Sequence, residues 1–156
     1  MARSGRPPKV DPMKAIHRAV LYGDAETFSV ELAAGTDVEA AGPEGMTPLH
    51  IAAHRGNLVF AKALLDRGVG VNPINVWGNT PLWVAVMRRR RTCPDGSMIR
   101  LLLDHNADPT RTEGNRAPVD LAPGIAGFPQ DLAELLAVKA AEFRQHGEAG
   151  MGHGDG

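Results

Sequence analysis

Residues 45–57 read Gly-Met-Thr-Pro-Leu-His-Ile-Ala-Ala-His-Arg-Gly-Asn, and this segment carries the strongest structural signal in the chain. Its Thr47-Pro48-Leu49 core returns as Thr80-Pro81-Leu82, and His17 precedes His50 by the same distance. Both separations are 33 positions (80 − 47 and 50 − 17). Self-similarity at a fixed period of this length is typical of stacked supersecondary units, so the sequence predicts a repeat protein.

The segment also contains the local signals of a short helix. Thr47 suits the N-cap, because its side-chain oxygen can accept a hydrogen bond from a backbone N–H at the helix start. Pro48 suits the first helical position, where a missing N–H costs nothing. Gly56 suits the end of the helix, since glycine readily adopts the left-handed conformation. We therefore expect a helix between Thr47 and Gly56, with small residues such as Ala52 and Ala53 on its packing face.

A second helix and an extended link complete each unit. Leu64 and Leu65 belong to the predicted second helix, which ends near Gly68. The links between units contain many turn-forming residues, at 36–44, 69–77 and 107–114. The units are predicted at about 13–45, 46–78, 79–114 and 115–137, with the last helix reaching 141. Residues 1–12 and the Gly-rich residues 142–156 are predicted to be disordered tails.

The Thr-Pro-Leu-His core closely resembles the ankyrin repeat, and the resemblance covers about residues 13–137. It implies an all-α solenoid of about four helix-turn-helix units, with short β-hairpin or turn fingers that project from the helices. It also implies a non-enzymatic protein-binding module, such as an adaptor, an inhibitor or an immunity-type partner. The structural motif then consists of Thr47, Pro48, Leu49, His50, Thr80, Pro81, Leu82 and Trp83.

The histidine of the motif is tempting as a catalytic group or metal ligand. The resemblance implies instead that His50 is structural, with its imidazole bonded to backbone groups that tie neighbouring units together. His17 occupies the same position in the first unit, and Trp83 occupies it in the third. An indole has one donor and no acceptor, so Trp83 cannot copy the whole network. We expect Trp83 to pack in the groove between helices, with ligand contact as the alternative.

Trp77 is the sharpest candidate for partner binding, because it sits with Val76 at a predicted finger tip where polar residues are usual. The alternative is that Trp77 folds over the adjacent finger. The resemblance implies that partners contact the tips and the exposed face of the first helices. The corresponding positions are Pro43, Glu44, Met46, His54, Arg55, Val76, Trp77, Asn79, Met87 and Arg88, flanked by Tyr22 and Arg116.

The third unit is stretched between its helices, within residues 88–97. Its first helix is predicted to run on by part of a turn into the arginines 88–91, before Pro94-Asp95-Gly96 turns the chain. Four consecutive arginines point in different directions, so they are either a grip for an acidic partner or a solvated helix end that complements the helix dipole. Cys93 is interpreted as an ordinary surface thiol.

Composition narrows the function further. A formal net charge of −1 gives no global field that favours nucleic acid or anionic membrane. One cysteine excludes an intrachain disulfide, and no apolar run approaches the roughly 18 residues of a membrane span. Residues 1–12 lack the apolar region of a secretory signal. We expect a cytoplasmic protein that is a monomer on its own and binds another protein, with an acidic partner favoured over nucleic acid.

Two alternatives to protein binding remain. The first is a small-molecule or catalytic site in the groove, although the sequence contains no phosphate loop, nucleophile elbow or metal motif, and we expect neither cofactor nor metal. The second is a DNA-associated regulator, since residues 3–9 resemble an AT-hook in which Ser4 replaces one arginine. A basic tail is the simpler interpretation of those residues.

Overall fold

A computed structural model describes residues 13–152 of the chain, with side chains to residue 146. That range contains eight α-helices: α1 Ala15–Tyr22, α2 Ala25–Ala33, α3 Pro48–Arg55, α4 Leu58–Asp66, α5 Pro81–Arg88, α6 Ser97–Asp104, α7 Pro118–Leu121 and α8 Gln130–Gly152. Two short 3-10 turns lie at Pro43–Gly45 and Ala122–Gly124. The predicted disordered tail 1–12 and the AT-hook resemblance lie outside the described residues.

The helices form two layers. The first helices of the units, α1, α3, α5 and α7, pack side by side in that order, and each contacts the second helix of its own unit. Small buried residues, Ala52, Ala53 and Ala85, let the first helices approach closely. In the second layer the rings of Phe28 and Phe60 stack with centroids 4.2 Å apart, which joins α2 to α4. The predicted all-α ankyrin-type solenoid is confirmed.

The helix starts and ends follow the local sequence. Thr47 Oγ1 accepts a hydrogen bond from the backbone N–H of His50 at 3.3 Å, and Thr80 Oγ1 accepts one from Trp83 at 3.2 Å. A proline follows each threonine at the first helical position. At the other end of α3, Gly56 has a φ of 71°, in the left-handed region. These short-range signals fix the start and end of α3 and the start of α5.

The links between units are turns, and the described residues contain no β-strand. Of the two forms expected for the fingers, residues 13–152 adopt the turn form. Single backbone hydrogen bonds close and connect the links, including Asn75 N–H to Asn79 O at 3.0 Å and Val76 N–H to Glu44 O at 3.0 Å. Left-handed backbone at Gly45 and Gly78 bends the chain away before a strand ladder can extend.

The insertion in the third unit differs from its prediction in two respects. The regular helix α5 ends at Arg88 instead of continuing, and the following arginines form a turn closed by Arg91 N–H to Arg88 O at 2.9 Å. Cys93 is buried beside the end of α3, with its thiol 3.6 Å from the Gly56 carbonyl oxygen, so it is not a surface thiol. The added residues fold back onto the solenoid.

The fourth unit is short, as expected at the end of a stack, since α7 has only four residues. Helix α8 extends to Gly152, past the point near Glu142 where the sequence predicts disorder. Ala, Glu, Arg and Gln dominate residues 140–145 and are all strong helix formers, so the Gly-rich composition farther on does not stop the helix there. No helix in the described range is both long and apolar enough to cross a membrane.

Candidate functional site

His50 connects the second unit to the third. Its imidazole is fully buried, and Nδ1 accepts a hydrogen bond from the backbone N–H of Thr47 at 3.2 Å. The proton is therefore on Nε2, which donates to the backbone oxygen of Asn79 at 2.9 Å. Burial lowers the pKa of His50, which keeps the ring neutral in the folded protein. Both ring nitrogens are occupied by structural hydrogen bonds, so His50 is a structural group in this fold.

The equivalent residues of the first and third units also bond to a backbone oxygen, one through an imidazole and the other through an indole. His17 is also buried, and its Nε2 lies 2.7 Å from the backbone oxygen of Ala40. In the third unit the indole Nε1 of Trp83 donates to the backbone oxygen of Arg116 at 3.2 Å. Trp83 thus retains the donor half of the histidine network, while its ring packs against the core and remains partly exposed.

A groove runs along the exposed side of α3 and α5 and consists of two adjoining depressions. The first has a volume of about 180 Å³ and is lined by Met13, Leu21, Pro43, Glu44, Met46, Ile51 and His54. The second has a volume of about 160 Å³ and is lined by Met46, His54, Asn75, Trp77, Asn79, Trp83, Val84, Met87 and Arg88. Both depressions are largely apolar, and they adjoin each other, since Met46 and His54 line both.

Large apolar side chains are exposed at the rim of the second depression. Trp77 is 51% exposed and Met87 is 47% exposed. The backbone at Trp77 is fixed from both sides, since its N–H donates to Asn75 Oδ1 at 3.1 Å and its oxygen accepts from Asn115 Nδ2 at 2.7 Å. A rigid link therefore holds an indole in partial contact with solvent.

The predicted contact residues separate into groups in the structure. Pro43, Glu44, Met46, His54, Trp77, Met87 and Arg88 line the groove. Val76 is exposed beside Trp77 without lining either depression. Tyr22 and Arg55 lie elsewhere, around an open depression of about 460 Å³ between the first two units. Arg116 turns toward α7, where it donates to the backbone oxygen of Asp120.

Asn79 differs from the other predicted contact residues because it is buried, with only 5% exposure. Its side-chain oxygen accepts a hydrogen bond from Asn115 Nδ2 at 2.8 Å. Sequence reasoning missed the network to which it belongs. Asn75 Oδ1 accepts from the backbone N–H groups of both Trp77 and Asn79, each at 3.1 Å. The signal in the sequence is Asn75 itself, since asparagine commonly bonds the backbone two residues later.

The edge of the groove near the ends of α3 and α5 is positively charged. The pKa of His54 is lowered first by burial, and then by the charges of Arg88 and Arg55. Within residues 13–146, neither arginine has a carboxylate within 4.0 Å. Glu44 lies at the opposite edge, in the link that precedes α3. Among the side chains described, no three of the His, Cys, Asp and Glu type are close enough to hold a metal ion.

Comparison with known proteins agrees with this architecture. The family model for ankyrin repeats (3 copies) matches residues 16–113. The putative ankyrin repeat protein YahD of Escherichia coli is 33% identical over 102 residues, covering 64% of this chain and 48% of YahD. The ankyrin repeat protein nuc-2 of Neurospora crassa is 28% identical over 116 residues, covering 72% of this chain and 10% of nuc-2.

A plant potassium channel is also similar to the repeat region. The potassium channel KOR1 of rice, Oryza sativa, is 38% identical over 84 residues, covering 54% of this chain and 9% of the channel. This chain therefore matches about half of YahD and a tenth or less of the two longer relatives. From the repeat period, the stacked helices and the family match over residues 16–113, we conclude that the chain belongs to the ankyrin-repeat family.

Proposed function

We propose that this chain is a non-enzymatic protein-binding module that takes a segment of a partner protein into the groove beside α3 and α5. Ankyrin repeats are generally protein–protein interaction modules. The observation that carries the proposal for this surface is the groove of two adjoining apolar depressions, with half-exposed Trp77 and Met87 at its rim. By occupying a partner's surface, such a module would act as an adaptor, an inhibitor or an immunity-type partner.

The energetics favour partner binding at this surface. A partly exposed tryptophan is a typical anchor, whose truncation can cost about 2 kcal/mol or more of binding free energy. The indole of Trp77 stands on a link that hydrogen bonds from Asn75 and Asn115 already order. A preformed surface loses little conformational entropy when the partner binds, so more of the burial energy remains as affinity.

The dimensions of the groove favour a protein partner over a small molecule. Pockets for small molecules typically enclose about 300–1,000 Å³. The two depressions measure about 180 and 160 Å³, and each is open to solvent. Each depression by itself is smaller than that range, and shallow depressions of this size suit one or two side chains of a larger partner. The family is also typically non-catalytic, which agrees with a binding role.

Site-specific photo-crosslinking in the native host tests the proposal. A photoreactive phenylalanine analogue is placed at Met87 in one variant and at Val138 in another. Val138 is a matched control, because it is 55% exposed but lies on α8, away from the groove. We expect a discrete covalent adduct with one protein from position 87 and none from position 138. Equal adducts from both positions, or from neither, would contradict the proposed binding surface.

A further inference from the structure

The four consecutive arginines after Met87 occupy four different environments. Arg88 lines the second depression of the groove. Arg89 points the other way and is buried, where its guanidinium donates to the backbone oxygens of Pro94 and Gly127. Arg90 and Arg91 are exposed and line neither depression of the groove. Only one guanidinium of the run is therefore available to a ligand in the groove.

Arg88 is half-buried and lacks a partner within the described structure. Its Nε is buried and makes no hydrogen bond to any described residue. No carboxylate among residues 13–146 lies within 4.0 Å of its guanidinium. This buried atom is out of reach of a ligand, whereas the two terminal guanidinium nitrogens of Arg88 are accessible and can donate to a ligand in the depression. The guanidinium is also planar, which matches the two oxygens of a carboxylate.

The surroundings of Arg88 indicate which kind of ligand suits it. Trp77, Trp83 and Met87 line the same depression and would remain exposed to water if only a phosphate bound there. A nucleic-acid backbone needs several cations in a row, whereas Arg89 is bonded internally and Arg91 does not line the groove. A peptide with an apolar side chain and a carboxylate complements both features of the depression.

We infer that the groove binds a partner segment with an apolar side chain next to an Asp or Glu, and that Arg88 pairs with this carboxylate. The inference rests on the proposed protein-binding function and adds the chemistry of the partner. The apolar side chain lies between Met46, Trp77 and Met87, while the carboxylate lies over the last turn of α5. Glu44, at the opposite edge, disfavours the reverse orientation by repelling the carboxylate.

Peptide selection on the full chain tests this assignment and does not require the natural partner. A phage-displayed library of short random peptides is selected on the wild-type protein, and enriched peptides are then measured against variants. We expect peptides that place Leu, Met, Phe or Trp beside Asp or Glu. Arg88→Gln should weaken these peptides at least about tenfold, whereas Arg91→Gln, a control three positions away, should leave their affinity unchanged.

Charge reversal keeps the test informative if Arg88→Gln lowers stability. Selection on Arg88→Glu, after circular dichroism has shown a native helix content, should enrich Lys or Arg in place of the acidic residue. Arg88→Lys should retain the acidic preference. An oligonucleotide is the second probe, and binding that Arg88→Gln abolishes while no acidic peptide is enriched would overturn the inference.

The outcomes separate the inference from the function on which it rests. Enriched peptides that lose affinity in Met87→Ala but not in Arg88→Gln would overturn the role of Arg88 while supporting the groove. Enriched peptides that bind Met87→Ala and Arg88→Gln with the same affinity as the wild-type protein would contradict binding in the groove. Failure to enrich any peptide would count against both.

Discussion

The Nε2 of His50 and the backbone oxygen of Asn79 lie 2.9 Å apart and join two successive units of the solenoid. The bond connects α3 to the residue that immediately precedes the N-cap of α5. It therefore fixes the link that carries Trp77 relative to α3, the helix that carries His54. The shape of the groove depends on this bond between units.

Replacing His50 with alanine should lower the free energy of unfolding by about 2–4 kcal/mol. The change removes a fully buried ring, leaves a cavity, and deprives the Asn79 oxygen of its donor. His54→Ala is the control, because His54 is only partly buried and makes no hydrogen bond in the described structure; its cost should be about 1 kcal/mol. Urea unfolding followed by circular dichroism measures both. Equal losses would show that the inter-unit bond contributes nothing.

Acidification should destabilise the fold in the pH range where histidine becomes protonated. Burial lowers the pKa of His17 and His50 below their ordinary value of 6.5, so the unfolded chain binds protons more readily than the folded chain. Stability should be constant above pH 6.5 and should fall as the pH drops below it. Hydrogen bonds from Thr27 and Ser97 lower the pKa values of Asp24 and Asp95 below 3.8, so their contribution to stability is lost at lower pH, as the pH falls through 3.8.

The urea midpoint, measured from about pH 8 down to about pH 5, checks this dependence. The slope below pH 6.5 should be smaller in His50→Asn than in the wild-type protein, since one of the three imidazoles with a lowered pKa is gone. A midpoint that stays constant over the whole range would mean that the imidazoles do not couple proton binding to folding.

Gly78→Ala should cost about 3 kcal/mol or more of stability. Gly78 has a φ of 78°, and a Cβ there would lie 1.8 Å from the backbone oxygen of Glu113 in the next link. Gly114 is a matched control, because its φ is 81° and a Cβ there would meet nothing within 4 Å. Gly114→Ala should cost only the backbone strain, about 1 kcal/mol. Thermal unfolding of the two variants should therefore differ clearly, and similar midpoints would argue against the close approach of the links.

Arg89→Met should destabilise the protein by about 2–3 kcal/mol, even though it removes a charge from a run of four. The guanidinium of Arg89 bonds two carbonyl groups and lies 5.1 Å from the ring centroid of Phe128, which ties the insertion to the fourth unit. Amide hydrogen exchange should accelerate first in residues 118–146. Exposed Arg91→Met should change stability by less than about 0.5 kcal/mol. A similar effect in both variants would contradict the buried role.

The parts of the fold that can be predicted from sequence are those encoded by neighbouring residues. Thr47, Pro48 and Gly56 each act within one helical turn, so the start and end of α3 follow from local chemistry alone. The 33-residue spacing then extends that prediction along the stack. The end of α8 lies beyond its predicted position because helix formers at 140–145 outweigh the glycines that follow.

The parts that could not be predicted depend on residues far apart in the chain. Arg88 and Arg89 are identical neighbours in sequence, yet Arg89 is buried because the Gly127 carbonyl lies within reach. Asn79, for which the sequence predicts a partner contact, lines the second depression but is buried, and its side chain bonds to Asn115, 36 positions later. Composition does not encode such pairings, so the direction of each side chain in the groove required the structure.

The central claim is that Trp77 and Met87 contribute to the affinity for the partner and not to the stability of the fold. The most direct measurement is calorimetric titration of the crosslinked partner, once purified, against Trp77→Ala, Met87→Ala and the α8 control Val138→Ala. Trp77→Ala should weaken the complex by about 2 kcal/mol or more while changing the free energy of unfolding by less than about 1 kcal/mol. Unchanged affinity, or a loss of stability as large as the loss of affinity, would contradict the claim.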